Sequence, residues 1–341
     1  PGQSSLRLVF PYVTAGISTE NIKLGPGIRN GIILSDNAPG FPHLDLGTFR
    51  PVDTRAGKIE ARLFWGALQE SDYFDEISKN DLRLIVGGAL AYSPSFLPSL
   101  TLGLNRVIVS PGETADGYKF FQLFEAFFKE SRASFEDDAD QVISVYGEWL
   151  LKDAGFRAYL EYARNDHAGD LRDLYLNPEH SRAYTAGLEQ RIAGPRATNF
   201  LLQGEVTVIN QSPTQSVRPT APWYRHGPVE QGYTNRGQYL GTYFGSGGNS
   251  QYLGVKWFHP RGMLGWFYER TVYDNDFFYS LPDRNYLDFY VETATGIEGY
   301  LSLEHFDLSA AMVGVISVNR WWINQYAPIN LHLELGVTHR F

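Results

Sequence analysis

The sequence of 341 residues sets 29 Lys and Arg against 38 Asp and Glu, a formal net charge of −9, with 43% hydrophobic and 15% aromatic residues and no cysteine. Such a chain can bury a sizeable core and is no disordered tail, and it lacks the basic footprint that neutralising phosphates requires, so no nucleic acid is expected as a partner. Without Cys there is neither a disulfide nor a thiolate metal site, and no run reaches the ~18 apolar residues of a membrane helix, which excludes a helical membrane protein but not a barrel.

The chain starts at Pro1, with no initiator Met and no charged-then-apolar leader, and reads as a fragment or processed product. From there, Gly-rich, aromatic segments of about ten residues alternate in hydrophobicity, the period of a strand with one oily and one wet face. Fourteen strands are predicted: 4–15, 43–50, 58–70, 83–93, 100–109, 141–151, 156–165, 182–192, 199–209, 251–259, 263–272, 288–303, 307–318 and 330–341. Long links at 16–42, 71–82, 110–140, 166–181, 210–250, 273–287 and 319–329 alternate strictly with short ones at 51–57, 94–99, 152–155, 193–198, 260–262 and 304–306. A soluble sandwich has no reason to keep its long loops at one end. An up-and-down transmembrane β-barrel of the bacterial outer membrane has short periplasmic turns, long extracellular loops and apolar-out, polar-in alternation. The expected fold class is therefore all-β, a single antiparallel barrel over 1–341.

The first long link, 16–42, places Ile32, Ile33 and Leu34 among turn-forming Gly and Pro residues. Apolar residues that want burial inside a long loop predict an inward-folded plug, with Arg29, Asn30, Leu34, Ser35, Asp36 and Asn37 as its occluding residues. Gly25-Pro26-Gly27 lacks the Gly-Lys-Ser/Thr that a phosphate loop needs. In the third long link, Tyr118, Phe121, Leu123, Phe124, Phe127 and Phe128 predict a short amphipathic helix over 118–132 that packs across the barrel mouth or lies on the membrane rim, the following acidic run Glu136, Asp137, Asp138 and Asp140 favouring the mouth because it suits open solvent rather than anionic lipid. The wet faces of the strands repeat an acid, Glu148, Glu161, Glu189, Glu205, Glu269, Glu292 and Glu334, which predicts a hydrated or tightly paired lumen.

The large loop 210–250 interleaves aromatics with Arg, Asn and Gln: Trp223, Tyr224, Arg225, His226, Tyr233, Asn235, Arg236 and Tyr239. Ring faces offer apolar platforms to sugar C–H groups, while amides and guanidinium groups supply directional hydrogen bonds and pair with uronic acid carboxylates. These eight are the candidate polysaccharide-binding residues. The same residues would also serve to brace the loop and occlude the pore. The last strand carries Leu331, Leu333, Leu335, Val337 and Phe341 on its oily face, and a terminal aromatic there places the C-terminus in the periplasm.

Four blocks, Gly25-Pro26-Gly27 with Ile33-Leu34-Ser35-Asp36-Asn37-Ala38-Pro39, Tyr146-Gly147-Glu148-Trp149, Asn177 to Tyr184, and Gly232-Tyr233-Thr234-Asn235-Arg236-Gly237, resemble the capsule assembly protein Wzi family over essentially the whole chain. The resemblance implies an outer-membrane lectin-like barrel of about eighteen strands, closed by plug elements, that helps hold capsular polysaccharide at the cell surface. Fourteen strands fall short of that barrel, in keeping with an absent N-terminal part. Outer-membrane lipid, lipopolysaccharide and the capsule export machinery are the other implied partners.

A porin or substrate-specific channel remains an alternative, as does an outer-membrane hydrolase. No Gly-x-Ser-x-Gly elbow is present, but His332 and Glu334 share the inward face of the last strand and His226 sits in the large loop, which leaves open a Ser-His arrangement across strands or a pair of the inward acids spaced for glycosidic cleavage. Neither a catalytic residue nor a cofactor is expected. The eight His residues are scattered without ligand spacing, and Asp137-Asp138-Ala139-Asp140 and Asp274-Asn275-Asp276 lack the spacing of a calcium loop, so no metal is expected.

Overall fold

The computed structural model describes residues 2–78, 80–112, 139–165, 175–227, 229–283, 285 and 287–340. The predicted loop helix 118–132, the acids 136–138 and the terminal Phe341 lie outside them. Among the described residues, fifteen strands follow one another in a single antiparallel ladder. They are β1 (Ser5–Val9), β2 (Val13–Ser18), β3 (His43–Thr48), β5 (Gly57–Gln69), β6 (Leu82–Pro94), β7 (Leu100–Pro111), β8 (Asp140–Leu151), β9 (Phe156–Asn165), β10 (Arg182–Ala193), β11 (Asn199–Val208), β14 (Asn249–His259), β15 (Gly262–Val272), β16 (Val291–Ser302), β17 (Phe306–Val318) and β18 (Ile329–His339). The short β4 (Val52–Asp53) pairs with β5, and β12 (Thr234–Asn235) with β13 (Gln238–Tyr239) forms a separate hairpin in the large loop.

One predicted strand is corrected. Segment 4–15 is a hairpin, with the Phe10 N–H donating to Val13 O (2.8 Å) across a turn at Pro11, which has no N–H to give to a ladder. This adds a short turn at the front of the alternation and leaves its rhythm intact, because the next link, 19–42, is long.

Strand pairing fixes which residues share a face. Leu160, Leu188, Leu202, Leu253, Trp266, Ile297 and Met312 stand on one face and are 37–57% exposed, whereas their strand neighbours Glu161, Thr185, Glu205, Ser250 and Glu269 on the other face are 0–3% exposed. An apolar band this wide, repeated over every strand, fits a lipid-facing wall and no aqueous one. The sheet curls around the 19–42 segment, which reaches β5, β9, β11 and β15 from a single stretch of chain. Phe41 lies against Gly66, Arg157 donates to Pro26 O (2.8 Å), Glu205 accepts from the Ile28 N–H (2.6 Å), and Arg29 meets Glu269 (2.8 Å). The core is therefore inside the barrel rather than between layers. Ile22, Leu24, Ile32, Ile33 and Leu34 of the plug pack with Phe64, Leu68, Ile85 and Val107 of the wall and with Trp223, Tyr224, Tyr233 and Leu240 of the large loop.

Candidate functional site

The plug begins with a turn that only its sequence allows. Gly25 has φ +88°, and a Cβ there would sit 2.5 Å from the Glu161 carboxylate; at Gly27 a Cβ would sit 2.0 Å from Asn30 O. The turn aims three consecutive backbone N–H groups, of Ile28 (2.6 Å), Arg29 (3.1 Å) and Asn30 (2.8 Å), at the single carboxylate of Glu205, which also accepts from the Tyr159 hydroxyl (2.6 Å). This is an anion nest whose anion is a side chain of the barrel wall. Beside it, Arg29 donates through Nε (3.0 Å) and Nη2 (2.8 Å) to Glu269, which Ser250 also contacts (3.1 Å), and lies 5.6–5.8 Å from the rings of Tyr243, Tyr252 and Phe267.

The wall acids lie on one register face, and six of them are engaged. Glu148 and Glu189 share Arg157 (2.7 and 2.8 Å), Glu161 accepts from Ser144 (2.6 Å), Glu205 and Glu269 hold the plug, and Glu292 accepts from Tyr273, Tyr290 and Ser317 (2.9, 2.8 and 2.7 Å). Glu334, opposite Ala311 on the last strand of the ladder, is exposed. Further acids on this face, among them Asp45, Glu60, Glu298 and Asp307, escaped the sequence reading; Glu298 pairs with Lys256 (2.9 Å). The alternation of their own strands would have revealed them.

The plug's second half is stitched to the large loop. The Ser35 N–H donates to Leu240 O (2.8 Å) and its Oγ to Gly241 O (2.5 Å), while Asn37 Nδ2 donates to Tyr239 O (2.9 Å). Tyr224 Oη donates to Ile32 O (2.7 Å) and accepts from the Thr242 N–H (3.1 Å), and Asn235 bridges Pro39 O and the Gln69 N–H (2.9 Å each). Asn30 and Leu34 are buried, Arg29 is exposed within this network, and Asp36 is exposed.

The eight candidate sugar-binding residues divide. Trp223, Tyr224, Tyr233 and Asn235 are at most 2% exposed and have no ring face or amide left for a glycan. The Trp223 indole, the Tyr224 phenol and the Asn235 amide brace the loop against the plug and the wall, as Trp223 Nε1 does by donating to Arg182 O (3.1 Å). Arg225 and Arg236 are exposed, and His226 and Tyr239 are half-buried. Arg225, His226 and Tyr239 line a depression of about 630 Å³ together with Pro222, Glu230 and Gly232. Arg236, its guanidinium fixed on Gln69 Oε1 (2.6 and 3.0 Å), lines a second of about 640 Å³ beside Glu70, Asp72, Tyr73 and Asp81. The sequence reading missed Tyr73, whose ring is 97% exposed. It also missed Arg83, which is buried and donates to Gly232 O (2.8 Å) and Gln69 O (3.1 Å), tying the large loop to the rim of β5 and β6. Neither carries a motif, and only the fold brings them to this end.

The Asp274-Asn275-Asp276 segment opens α1 (Asn275–Ser280) and clips it to the large loop. Asp274 caps the helix by accepting from the Phe277 N–H (3.0 Å) and pairs with Arg225 (2.5 Å), and Asp276 accepts from the Gln211 N–H (2.8 Å). Burial first, then the neighbouring Asp274 charge, pushes the Asp276 carboxyl up to about 7. A carboxyl raised on folding stabilises the clip below its unfolded value near 4, and that contribution is lost as pH rises through about 7, by no more than about 4 kcal/mol. Limited proteolysis of the large loop is therefore expected to quicken between pH 5 and pH 8, and Asp276→Asn to abolish that pH dependence. An unchanged pH profile in the variant would remove Asp276 as its source.

The likeness to known proteins follows the same outline. The solved structure from Escherichia coli described as Wzi, an outer membrane protein involved in group 1 capsule assembly and a carbohydrate-binding β-barrel, superposes with a TM-score of 0.73 at 13% identity, covering 97% of this chain and 68% of that one. No curated protein matches the sequence. The sequence model of the capsule assembly protein Wzi family matches residues 12–324, and the chain belongs to that family.

Proposed function

We propose that the protein is a non-enzymatic, lectin-like barrel of the bacterial outer membrane that helps attach capsular polysaccharide at the cell surface. Its long loops face outward, its C-terminus lies in the periplasm, and it works with the membrane's own lipid and lipopolysaccharide and with the export machinery that delivers the polymer. One observation carries this reading: the large loop is bonded to the buried 19–42 segment inside the curled sheet, while Arg225, His226, Tyr239 and Arg236 stay at the rims of two open depressions. A loop held down on an inward-folded segment in this way suits a binding surface better than a conduit. The net charge of −9 does not oppose it, because a Debye length of ~8 Å at physiological salt confines the influence of most of that charge to its own surroundings.

The test is cell-associated capsule in a strain carrying His226→Ala together with Arg236→Ala. Both side chains can be truncated without opening the core, so barrel yield is expected to stay at the wild-type level while retained polysaccharide falls several-fold. Wild-type retention would overturn the assignment to these rims.

A further inference from the structure

The depression of about 630 Å³ beside residues 221–239 lies in the size range of small-molecule sites and holds one or two sugar rings. Its lining carries two formally charged side chains, Arg225 and Glu230, plus the imidazole of His226. The Arg225 guanidinium is already bonded to the Asp274 carboxylate (2.5 Å), so its charge is compensated, and Glu230, exposed at the rim, leaves the local balance negative. Among the described residues, a carboxylate entering here meets Glu230 and the Asp274 that already pairs with Arg225, while the other nearby cation, Arg83, is buried behind Gly232 with its guanidinium held by the carbonyls of Gly232 and Gln69. What the site does offer is a rigid aromatic platform. Tyr239 lies 5.6 Å from Tyr224 at 38°, and Tyr224 stacks on Tyr233 at 5.5 Å and 14°. With Tyr224 and Tyr233 buried, the Tyr239 ring is backed by immobile neighbours and presents an apolar surface suited to the C–H face of a pyranose.

We propose that this depression is a subsite for one or two neutral hexopyranose units and that it rejects uronates. The inference rests on the polysaccharide-binding reading and narrows its chemistry: the acidic units of any charged polymer must lie elsewhere along the surface. The Asp274–Arg225 pair is the selectivity device. Asp274→Asn keeps the helix cap and the left-handed φ of 35°, both of which Asn satisfies, while releasing the guanidinium.

Calorimetric titration of the purified protein with neutral hexose oligosaccharides and with oligogalacturonate, each at 50 and 300 mM NaCl, tests this. The wild type is expected to bind the neutral series with no salt dependence and the uronate series at least tenfold more weakly. Asp274→Asn and Glu230→Gln are each expected to raise uronate affinity several-fold at 50 mM NaCl, a gain erased at 300 mM. Tighter binding of uronates by the wild type would overturn the selectivity and leave the polysaccharide reading standing. Absence of binding to either series would count against that reading itself, and variants without a gain for uronates would overturn the role of the ion pair.

Discussion

Glu205→Ala is expected to turn a silent barrel into a conducting one. The Glu205 carboxylate accepts from three consecutive plug N–H groups and from Tyr159 at 2.6–3.1 Å, and it is 3% exposed. Removing it leaves those donors buried without an acceptor, at about 1–3 kcal/mol each. The cheapest relief is for the Gly25–Asn30 turn to leave the wall and find water in the lumen. The Arg29–Glu269 pair and the Arg157 bond to Pro26 O then hold the turn, so adding Arg29→Ala should enlarge the openings, and the two effects should not simply add because both act on one network. Glu205→Gln keeps one carbonyl oxygen for the three donors but introduces an NH2 among them, and should give brief, partial openings. Single-channel recording in planar bilayers reads all three variants against the wild type. An Ala variant that assembles and stays silent would show that the buried half of the plug, Ile32 to Leu34, occludes the bore without help from the nest.

The barrel was legible in the sequence because a lipid-facing wall writes itself into every second residue. Leu331, Leu333, Leu335 and Val337 are 63–84% exposed on β18, and Leu160 and Val145 are about half exposed on β9 and β8. The alternation of loop lengths survived for the same reason, since short turns tolerate few sequences. What failed was the Phe10-Pro11-Tyr12 corner: a continuous apolar run from Leu8 to Val13 passes through it, and the missing Pro11 N–H marks the break. The inward burial of Ile32, Ile33 and Leu34 was legible as well, because such residues have no other reason to stand amid turn residues, and they are 0–1% exposed.

Partner choice inside the lumen was not legible. Glu148, Glu189 and Glu205 look alike along their strands, yet the first two share Arg157 and the third holds three backbone groups. That difference is set by which strand lies beside the plug, a property of closure and not of local pattern. The large loop posed the converse problem. Its aromatics have the composition of a sugar platform, and composition does not distinguish a ring that faces solvent from one that faces Ile32. The rim of the second depression draws on Tyr73, Glu70 and Asp81, about 160 residues away in the chain from Arg236, so no reading of the 223–252 stretch alone could have assembled it.

Trp223→Ala separates bracing from sugar contact most sharply. Trp223 is 1% exposed, packs edge-on against Tyr224 (5.8 Å, 84°) and donates to Arg182 O at 3.1 Å. Truncating a fully buried Trp costs about 3–5 kcal/mol, more than a surface loop commands above its own local opening. The 221–242 segment should therefore detach from the plug, with Tyr224 losing its bonds to Ile32 O and the Thr242 N–H. Capsule retention is expected to collapse in this variant together with the loop's resistance to protease, while the wall strands stay heat-modifiable as in the wild type. Trp223→Phe keeps most of the packing and loses the indole N–H, at about 1 kcal/mol, so it should retain most of both properties. His226→Ala is the counterpart, with retention reduced and protease resistance unchanged. A Trp223→Ala protein that loses retention but keeps a wild-type protease pattern would place the indole against the glycan after all, and would require the loop to adopt a second, more open arrangement on the cell surface.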